Sequence, residues 1–541
     1  MRRALIVLLL ALAGPGAADA SRFAVGVAPG TDRAELARAL ETRTGGRVEP
    51  LAPFAVALEA ESAAGAATLP GVAYVERLGN RGRRLAFAPS DPLFPKQWYA
   101  GSVQAFEAWP QRPTLPTGLR VAVIDSGIDA GHPEFRGRIA RHKSFVGGTA
   151  LRDLHGHGTF VAGLLAAGLN NGQGIAGLAF PAQLLVAKVV RSDGVVPLEA
   201  EARAIRWAVD NHAQVINLSL GGVRDPRDPG RDSFSPLEAS AVEYAVRNGV
   251  IVVAAVGNGD NADRPWLYAS YPAALPHVLG VSAYTRDGSV PMFSNRDPVY
   301  NDIAAPGDEL FSTLPRHLTA LRPSCLEQGY SDCGPPEFRR PQGTSFAAAI
   351  VSAGAVLVRA AWPNLRAEQI VGVIERSATD MIPTTGCRRC APDRDSITGW
   401  GSLNVAAAVN FPIDRLPAVD RREPNDDAGA RANRYGKPTG AIRASLDYWD
   451  DQSDVYAIRL RRNGRLAVTL TGRTTADVNL FLWRPGTRRI GLGRRLADRS
   501  AGPGRSEFIN FRARRRPGLY YVQVKIMEPG STGYTLRVVK R

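Results

Sequence analysis

A chain of 541 residues is too long for one ordinary core, and at roughly 100 to 200 residues per domain it implies two to four folded units. With 45% hydrophobic and 22% charged residues the composition is that of a globular protein. The formal charge of +16 is almost all arginine spread along the chain, without interleaved aromatics as stacking platforms, which argues against nucleic-acid binding. Only the C-terminal part has dense basic clusters, such as Arg512 to Arg516.

The first stretch, MRRALIVLLLALAGPGAADA, has two arginines, an apolar run broken by Gly14, Pro15 and Gly16, and small residues ending at Ala20. It reads as a secretory signal peptide cut after Ala20, with an uncleaved anchor as the alternative. No later segment reads as long and apolar enough to cross a bilayer, so the mature chain is expected to be soluble and exported. Residues 22 to 80 read as a small α+β unit in the order strand, helix, strand, strand, helix, strand. Phe23 to Ala28 is extended, Thr31 precedes a helical stretch through Leu40, and Phe54 to Leu58 and Val72 to Val75 return to strand character. A charged link, Arg81 to Arg84, follows.

From about Asp91 to Asn410 strands alternate with helices. The runs Val121 to Ile124, Leu184 to Ala187, Val215 to Leu218 and Val250 to Ala254 are short and continuously apolar. Such strands are buried on both faces, which predicts an α/β fold with a mainly parallel sheet covered by helices on both sides. Helices are expected at Val161 to Ala167, Glu199 to Asn211, Pro236 to Asn248 and Phe346 to Ala361. A Pro-, Asp- and Arg-rich linker without periodicity runs from Phe411 to about Asn425. Beyond it, Asp454 to Leu460, Arg465 to Leu470, Val478 to Trp483, Tyr520 to Ile526 and Tyr534 to Val539 predict a small antiparallel β-sandwich. Four cysteines in an exported chain point to disulfides, for which three connectivities exist. Close spacing favours Cys325 with Cys333 and Cys387 with Cys390, against a four-thiolate zinc site or a redox Cys387-Arg-Arg-Cys390.

Open α/β sheets gather functional groups beyond the carboxyl ends of their strands. Asp125 stands there in VAVIDSGID. His157 lies in DLHGHGTFVAG between two glycines at the start of an apolar helix, with His155 beside it. Asn258 ends the strand of VIVVAAVGN, and its amide offers donors without charge. Ser345, in PQGTSFAAAI, has the composition of a helix cap as well as that of a nucleophile. Each alone has an ordinary reading as a turn, surface or cap residue. Together they fit one mechanism: Ser345 attacks a carbonyl, His157 takes and returns the proton, Asp125 fixes the imidazole tautomer, and Asn258 with the Ser345 N–H holds the oxyanion. No Gly-x-Ser-x-Gly elbow is present.

VAVIDSGID, HGHGTFVAG, VINLSLGG, VVAAVGN and GTSFAAA, in this order, resemble the subtilisin-like (subtilase, S8) serine peptidases over about Asp91 to Asn410. The resemblance implies an endopeptidase needing no cofactor for chemistry. It also implies that Ser219, Leu220 and Gly221 pair with the substrate backbone, that Ala255, Val256 and Gly257 wall the S1 pocket, and that Ser270 lies near its floor. Tyr271-Pro272 matches the family's cis-proline site. Residues 21 to 85 resemble an inhibitor I9-type propeptide, residues 91 to 410 the peptidase domain, and residues 424 to 541, after a linker at 411 to 423, a bacterial pre-peptidase C-terminal (PPC) domain. The chain departs from the family at Phe160, where a second His is usual, and at Ala349, where a Pro is usual, which puts cleft packing in question.

The insertions Val223 to Pro236 and Arg316 to Arg340 are expected to flank the cleft. Asp225, Asp228 and Asp232 are candidate calcium ligands, against a solvated loop with internal Asp–Arg pairs. Expected partners are protein or peptide substrates and the chain's own propeptide, with no nucleic acid and no second subunit. The rival reading is a non-catalytic binding protein on the same scaffold.

Overall fold

The computed structural model describes residues 21–541 apart from 53–54, 79–86, 108–117, 260–263, 417–419, 424, 449–450, 475, 489, 491–494, 515 and 528–529. The expected signal peptide and the link Arg81 to Arg84 lie outside the described residues. The chain divides into two compact units, residues 1–85 and 86–541.

In the first unit, β1 (Ser21–Val27), α1 (Arg33–Thr44), β2 (Arg47–Ala52), β3 (Ala55–Ala60) and β4 (Val72–Arg77) form an antiparallel sheet in the order β2-β3-β1-β4 with one helix. Asp32, not Thr31, caps α1: its carboxylate accepts the Ala34 and Glu35 N–H groups at 2.8 and 3.2 Å. Gly45 ends the helix in the left-handed conformation (φ 68°) that glycine adopts without steric cost. Leu36 and Leu40 on α1 pack on Val25, Val56 and Leu58. The second expected helix is a single 3-10 turn, Ala66–Thr68, because Gly65 and Pro70 leave no room for an α-helical nucleus between them.

The second unit is built on α2 (Trp98–Ser102), β5 (Arg120–Asp125), β6 (Ile139–Ser144), α3 (His157–Ala166), β7 (Gln183–Lys188), α4 (Leu198–Asp210), β8 (Val215–Leu218), α5 (Pro236–Arg247), β9 (Ile251–Ala255), β10 (Val278–Tyr284) and β11 (Ile303–Pro306). Then come α6 (Arg316–Thr319), α7 (Pro336–Arg339), α8 (Thr344–Ala361), α9 (Ala367–Arg376) and α10 (Val405–Val409). All seven strands are parallel, in the order β11-β10-β9-β8-β5-β7-β6. Alternate residues serve opposite faces. Val121, Val123, Leu184, Val186 and Val253 pack with α3, α8 and α9, whereas Ala122, Ile124, Leu185, Ile216 and Val252 pack with α4 and α5. The strand order reverses at β5, so the carboxyl end of β5 opens at the switch point of the sheet.

α8 corrects one expectation. It is 18 residues long and has the length and apolar composition of a membrane span, yet 89% of it is buried inside the protein. Its apolar residues serve this core, where Ala347, Ala348 and Ala349 let the helix lie close against the sheet.

The chain ends in β12 (Asn433–Tyr435), β13 (Thr439–Asp447), β14 (Ser453–Leu460), β15 (Arg465–Gly472), β16 (Val478–Trp483), β17 (Leu496–Ser500), β18 (Ser506–Arg512), β19 (Gly518–Ile526) and β20 (Ser531–Lys540). They form two facing sheets, β12-β14-β19-β16-β17 and β13-β20-β15-β18, antiparallel except for the short β12–β14 pair. A shared core takes Ile458, Val522 and Val524 from one sheet and Val468, Leu536 and Val538 from the other. The disulfides are Cys325–Cys333 and Cys387–Cys390, which leaves no thiol for a zinc site.

Between α4 and α5, Glu201 and Glu238 are both 2% exposed and hydrogen-bond to each other. Burial, then the neighbouring carboxyl, pushes Glu201 well above the ordinary glutamate range, and burial pushes Glu238 up to about 7. The folded state therefore holds more protons than the unfolded chain above the ordinary value of 4.5, so stability falls as pH rises through the raised range. Glu201→Gln keeps the hydrogen bond and removes the proton. Its melting temperature should fall less than that of the unsubstituted protein between about pH 5 and about pH 9; equal slopes would refute the proton-sharing account.

Candidate active site

The carboxyl ends of β5, β8 and β9 and the first turns of α3 and α8 meet at one place. Asp125, the last residue of β5, is 3% exposed, and both its oxygens accept from His157 Nδ1, at 2.8 and 3.0 Å. With Nδ1 donating, Nε2 is the ring's unprotonated nitrogen. Burial of the ring opposes its protonation, but the Asp125 charge and hydrogen bond, with the Asp153 charge behind them, outweigh it and raise the His157 pKa above 6.5.

His157 is held from below by a residue the sequence reading did not single out. Asp153, fully buried, accepts the His155 and Gly156 N–H groups and the Ser126 hydroxyl on Oδ1, and the Thr159 N–H and hydroxyl on Oδ2. Gly156 caps α3 at φ 91°, a conformation that a side chain would strain. His155 turns to the Arg191 carbonyl at 2.9 Å and belongs to neither candidate metal group among the described residues.

Ser345 is not the cap of α8. Gly343 is, and it has no side chain with which to satisfy the first N–H groups. Ser345 lies in the first turn, half-buried, and its hydroxyl donates to the Ser219 carbonyl at 3.1 Å. No Ser345–His157 hydrogen bond forms, but the His157 ring lies against Phe346, the next residue, with centroids 5.5 Å apart. The Thr344 N–H and hydroxyl both donate to Asn258 Oδ1, at 2.9 and 3.0 Å. That fixes the amide's orientation and leaves Nδ2 without a protein acceptor among the described residues, as is the Ser345 N–H. Both nitrogens lie beside Gly343, 3.3 and 3.8 Å from where a Cβ on it would stand, at the N-terminus of α8.

Ser219 is clamped to α8 twice, since its carbonyl accepts from the Ser345 hydroxyl and its own hydroxyl donates to the Ser345 carbonyl at 2.6 Å, while that hydroxyl also accepts from Asn217 Nδ2 on β8 at 2.9 Å. The Ser352 hydroxyl closes the chain by donating to Asn217 Oδ1 at 3.0 Å. Leu220 and Gly221 make no backbone hydrogen bonds among the described residues, whereas Gly222 bridges to Tyr271. Ala255, Val256 and Gly257 run beside Ser270, whose N–H donates to the Val256 carbonyl at 2.8 Å. A Cβ on Gly257 would come 2.2 Å from Ser270 Oγ, so only glycine fits. The Tyr271–Pro272 bond is cis.

The aspartates of the first insertion are already engaged. Asp225 accepts the Arg227 and Asp228 N–H groups and pairs with Arg231, while Asp232 accepts the Asp225 N–H. The candidate metal groups among the described residues lie elsewhere: Asp420, Glu423 and Asp454, and His277, Glu423 and Asp426. In the first, ligand oxygens lie within 4.8 Å of one another, and Asp454 Oδ1 is buried without a donor.

A sequence model of the Subtilase family, Peptidase_S8, matches residues 117–401, which contain every residue of this site. The chain belongs to the subtilase family. This subtilase is 34% identical over 231 residues to thermitase of Thermoactinomyces vulgaris, covering 42% of this chain and 77% of that one. It is 33% identical over 313 residues to subtilisin BL of Lederbergia lenta, covering 58% and 98%. With the major intracellular serine protease of Bacillus subtilis it shares 37% identity over 219 residues, 39% of this chain and 65% of that relative, just under two thirds of its length.

The subtilase should show a His157 pKa above 6.5, and Asp125→Asn should lower it, because burial is then opposed only by the more distant Asp153 charge. An NMR titration of the ring measures both. An unchanged pKa would contradict the assigned cause.

Proposed function

We propose that this subtilase is an exported serine endopeptidase, made as a proenzyme, that hydrolyses protein and peptide substrates through an acyl-enzyme. The observation that carries the reading is the His157 ring, tied by Nδ1 to buried Asp125 and lying beside the first turn of α8, where Ser345 stands. The Ser345 hydroxyl leaves the Ser219 carbonyl and attacks the substrate carbonyl carbon while its proton passes to His157 Nε2. Asn258 Nδ2 and the Ser345 N–H take the oxyanion. The carbon–nitrogen bond then breaks as Nε2 returns the proton to the leaving amine, and water repeats the cycle on the ester. Loss of one such oxyanion donor in a subtilisin costs roughly 10²- to 10³-fold in kcat, a value belonging to that relative.

Ser219, Leu220 and Gly221 would add the substrate as an extra strand, with Ala255, Val256 and Gly257 as the wall of the S1 pocket and Ser270 at its floor. Free backbone groups at Leu220 and Gly221 support this assignment. Export rests on the composition of residues 1–20 and agrees with two disulfides and no free cysteine. Residues 21 to 85 are read as the inhibitory propeptide and residues 424 to 541 as a PPC-like domain for surface or substrate attachment. The rival, a binding protein on this scaffold, is disfavoured because all four catalytic positions carry competent side chains.

Structural calcium is better supplied with ligands by Asp420, Glu423 and Asp454 than by the insertion. Burial and the neighbouring negative charges push Glu423 up to about 11, while burial above all pushes Asp454 up to about 7, crowding that a divalent cation on oxygen ligands relieves. Chelator should lower the melting temperature, calcium should restore it, and Asp454→Asn should abolish the response; indifference to both would exclude the site.

Ser345→Ala should lose casein hydrolysis by about three or more orders of magnitude while keeping its melting temperature. It should also accumulate with an N-terminus near Ser21, whereas the unsubstituted chain starts between Leu78 and Asp91. The activity of the unsubstituted enzyme should fall as pH drops through the raised His157 pKa, since the imidazolium accepts no proton. Wild-type hydrolysis by Ser345→Ala would overturn the mechanism.

A further inference from the structure

The His157 ring has one hydrogen-bonded edge, at Nδ1, and that contact alone leaves it free to pivot about Asp125. Its face lies on Phe346, with planes inclined by 33°. Phe346 in turn lies on Phe160, centroids 4.5 Å apart, and Phe160 stacks on Phe338 at 6.0 Å and 29°. The four rings make a column running from the catalytic centre into the insertion Arg316 to Arg340. Phe160 is fully buried, and Phe346 and Phe338 are only 5% and 8% exposed, so the three phenyl rings behind His157 have no solvent gap to yield into.

The insertion is anchored where it meets the column. The Cys325–Cys333 disulfide closes it, and α7, which carries Phe338, begins three residues after Cys333. Its base is tied by Leu314 N–H to Gly329 O at 2.7 Å and Ser331 N–H to Ser312 O at 2.9 Å. Lys96 pairs with Glu327 and Asp332 at 2.6 and 2.5 Å. The same insertion touches the chain just before His157. A Cβ on Gly156 would lie 2.9 Å from Leu318 Cδ1 and 3.2 Å from Phe338 Cε2. Ring column and backbone contact therefore converge on His157 from one body.

We propose that Phe338 is a positioning residue for His157, acting through Phe160 and Phe346, so that the disulfide-closed insertion sets the orientation of the general base. The inference rests on the peptidase reading above. Phe160 is the link: its buried ring joins Phe346 to Phe338.

The test uses the full processed enzyme with Phe338→Leu, which keeps much of the volume and removes the ring, and Phe338→Tyr, which restores the ring. Assays run well below the melting temperature of each variant. Phe338→Leu should lower kcat by roughly tenfold or more with KM held within about twofold. It should also shift or broaden the low-field proton resonance of the His157 Nδ1–Asp125 hydrogen bond, and Phe338→Tyr should restore both. A lower melting temperature with kcat and the resonance unchanged would overturn the proposal. If the unsubstituted protein hydrolyses nothing, the peptidase reading fails, and the resonance alone decides whether Phe338 orients His157. Should Phe338→Leu fail to fold, reduction of Cys325–Cys333 in the unsubstituted enzyme gives the second measurement, read on the same resonance.

Discussion

The parallel sheet of this subtilase is buried on both faces, and most of the rest follows from that constraint. Strands such as Val121 to Ile124 and Val215 to Leu218 have no solvent side, so polar chemistry is confined to strand ends and the loops beyond them. The reversal of strand order at β5 then opens a crevice at one carboxyl end. Asp125 is the first residue of β5 that can be polar on the crevice side, and α3 and α8 both begin there. Helix starts bring unsatisfied N–H groups; Gly343 has no side chain to take those of α8, so the Thr344 N–H goes to Asn258 and the Ser345 N–H is left over. The site is thus built from what the fold leaves unpaid at its edges.

α8 shows the coupling between packing and chemistry. Its composition would suit a membrane, and its burial here holds its first turn, with Ser345, against the carboxyl end of β8. The hydrogen-bonded chain Ser352–Asn217–Ser219–Ser345 registers the helix against β8, while Thr344 registers it against Asn258 after β9. The two bonds to Asn217 are buried, so losing one partner would leave the other without a hydrogen bond, at about 1 to 3 kcal/mol each. A similar economy applies to Asp153, whose two oxygens organise the loop and first turn that carry His157.

The readable strands of the large sheet were interior ones, apolar throughout, and those of the C-terminal sheets were the ones flanked by a strand on each side. In the C-terminal sheets the foreseen strands were β14, β15, β16, β19 and β20; the unforeseen β12, β13, β17 and β18 are the four sheet edges. Edge strands such as LADRS and SEFINFR carry charges that blunt their pairing and erase the apolar pattern. β6, IARHKS, was missed for the same reason; β11, IAAP, is buried and uncharged but only four residues long and ends in proline, too short to show a pattern. β10 is an interior strand hidden by Gly280 and Ser282, and Gly280 is required because the Tyr300 carbonyl stands 2.0 Å from where a Cβ would be. In the site, Asp125, His157, Asn258 and Ser345 were legible because their motifs pair a chemical group with the glycines that admit it. Asp153, Asn217, Thr344 and Ser352 were not, because a buried polar residue that holds another in place looks in sequence like any turn or helix residue. The acidic insertion was read correctly on its favoured alternative: Asp225 pairs with Arg231, and the loop's own N–H groups take up the other carboxylate oxygens that made it look like a calcium site.

The central claim is that Ser345 is activated by His157 at this crevice. Incubation of the mature protein with a fluorophosphonate, followed by peptide mapping, tests it most directly. The account predicts one phosphonyl adduct, on Ser345, lost in His157→Ala. An adduct on another serine, or none on an intact and processed chain, would contradict it.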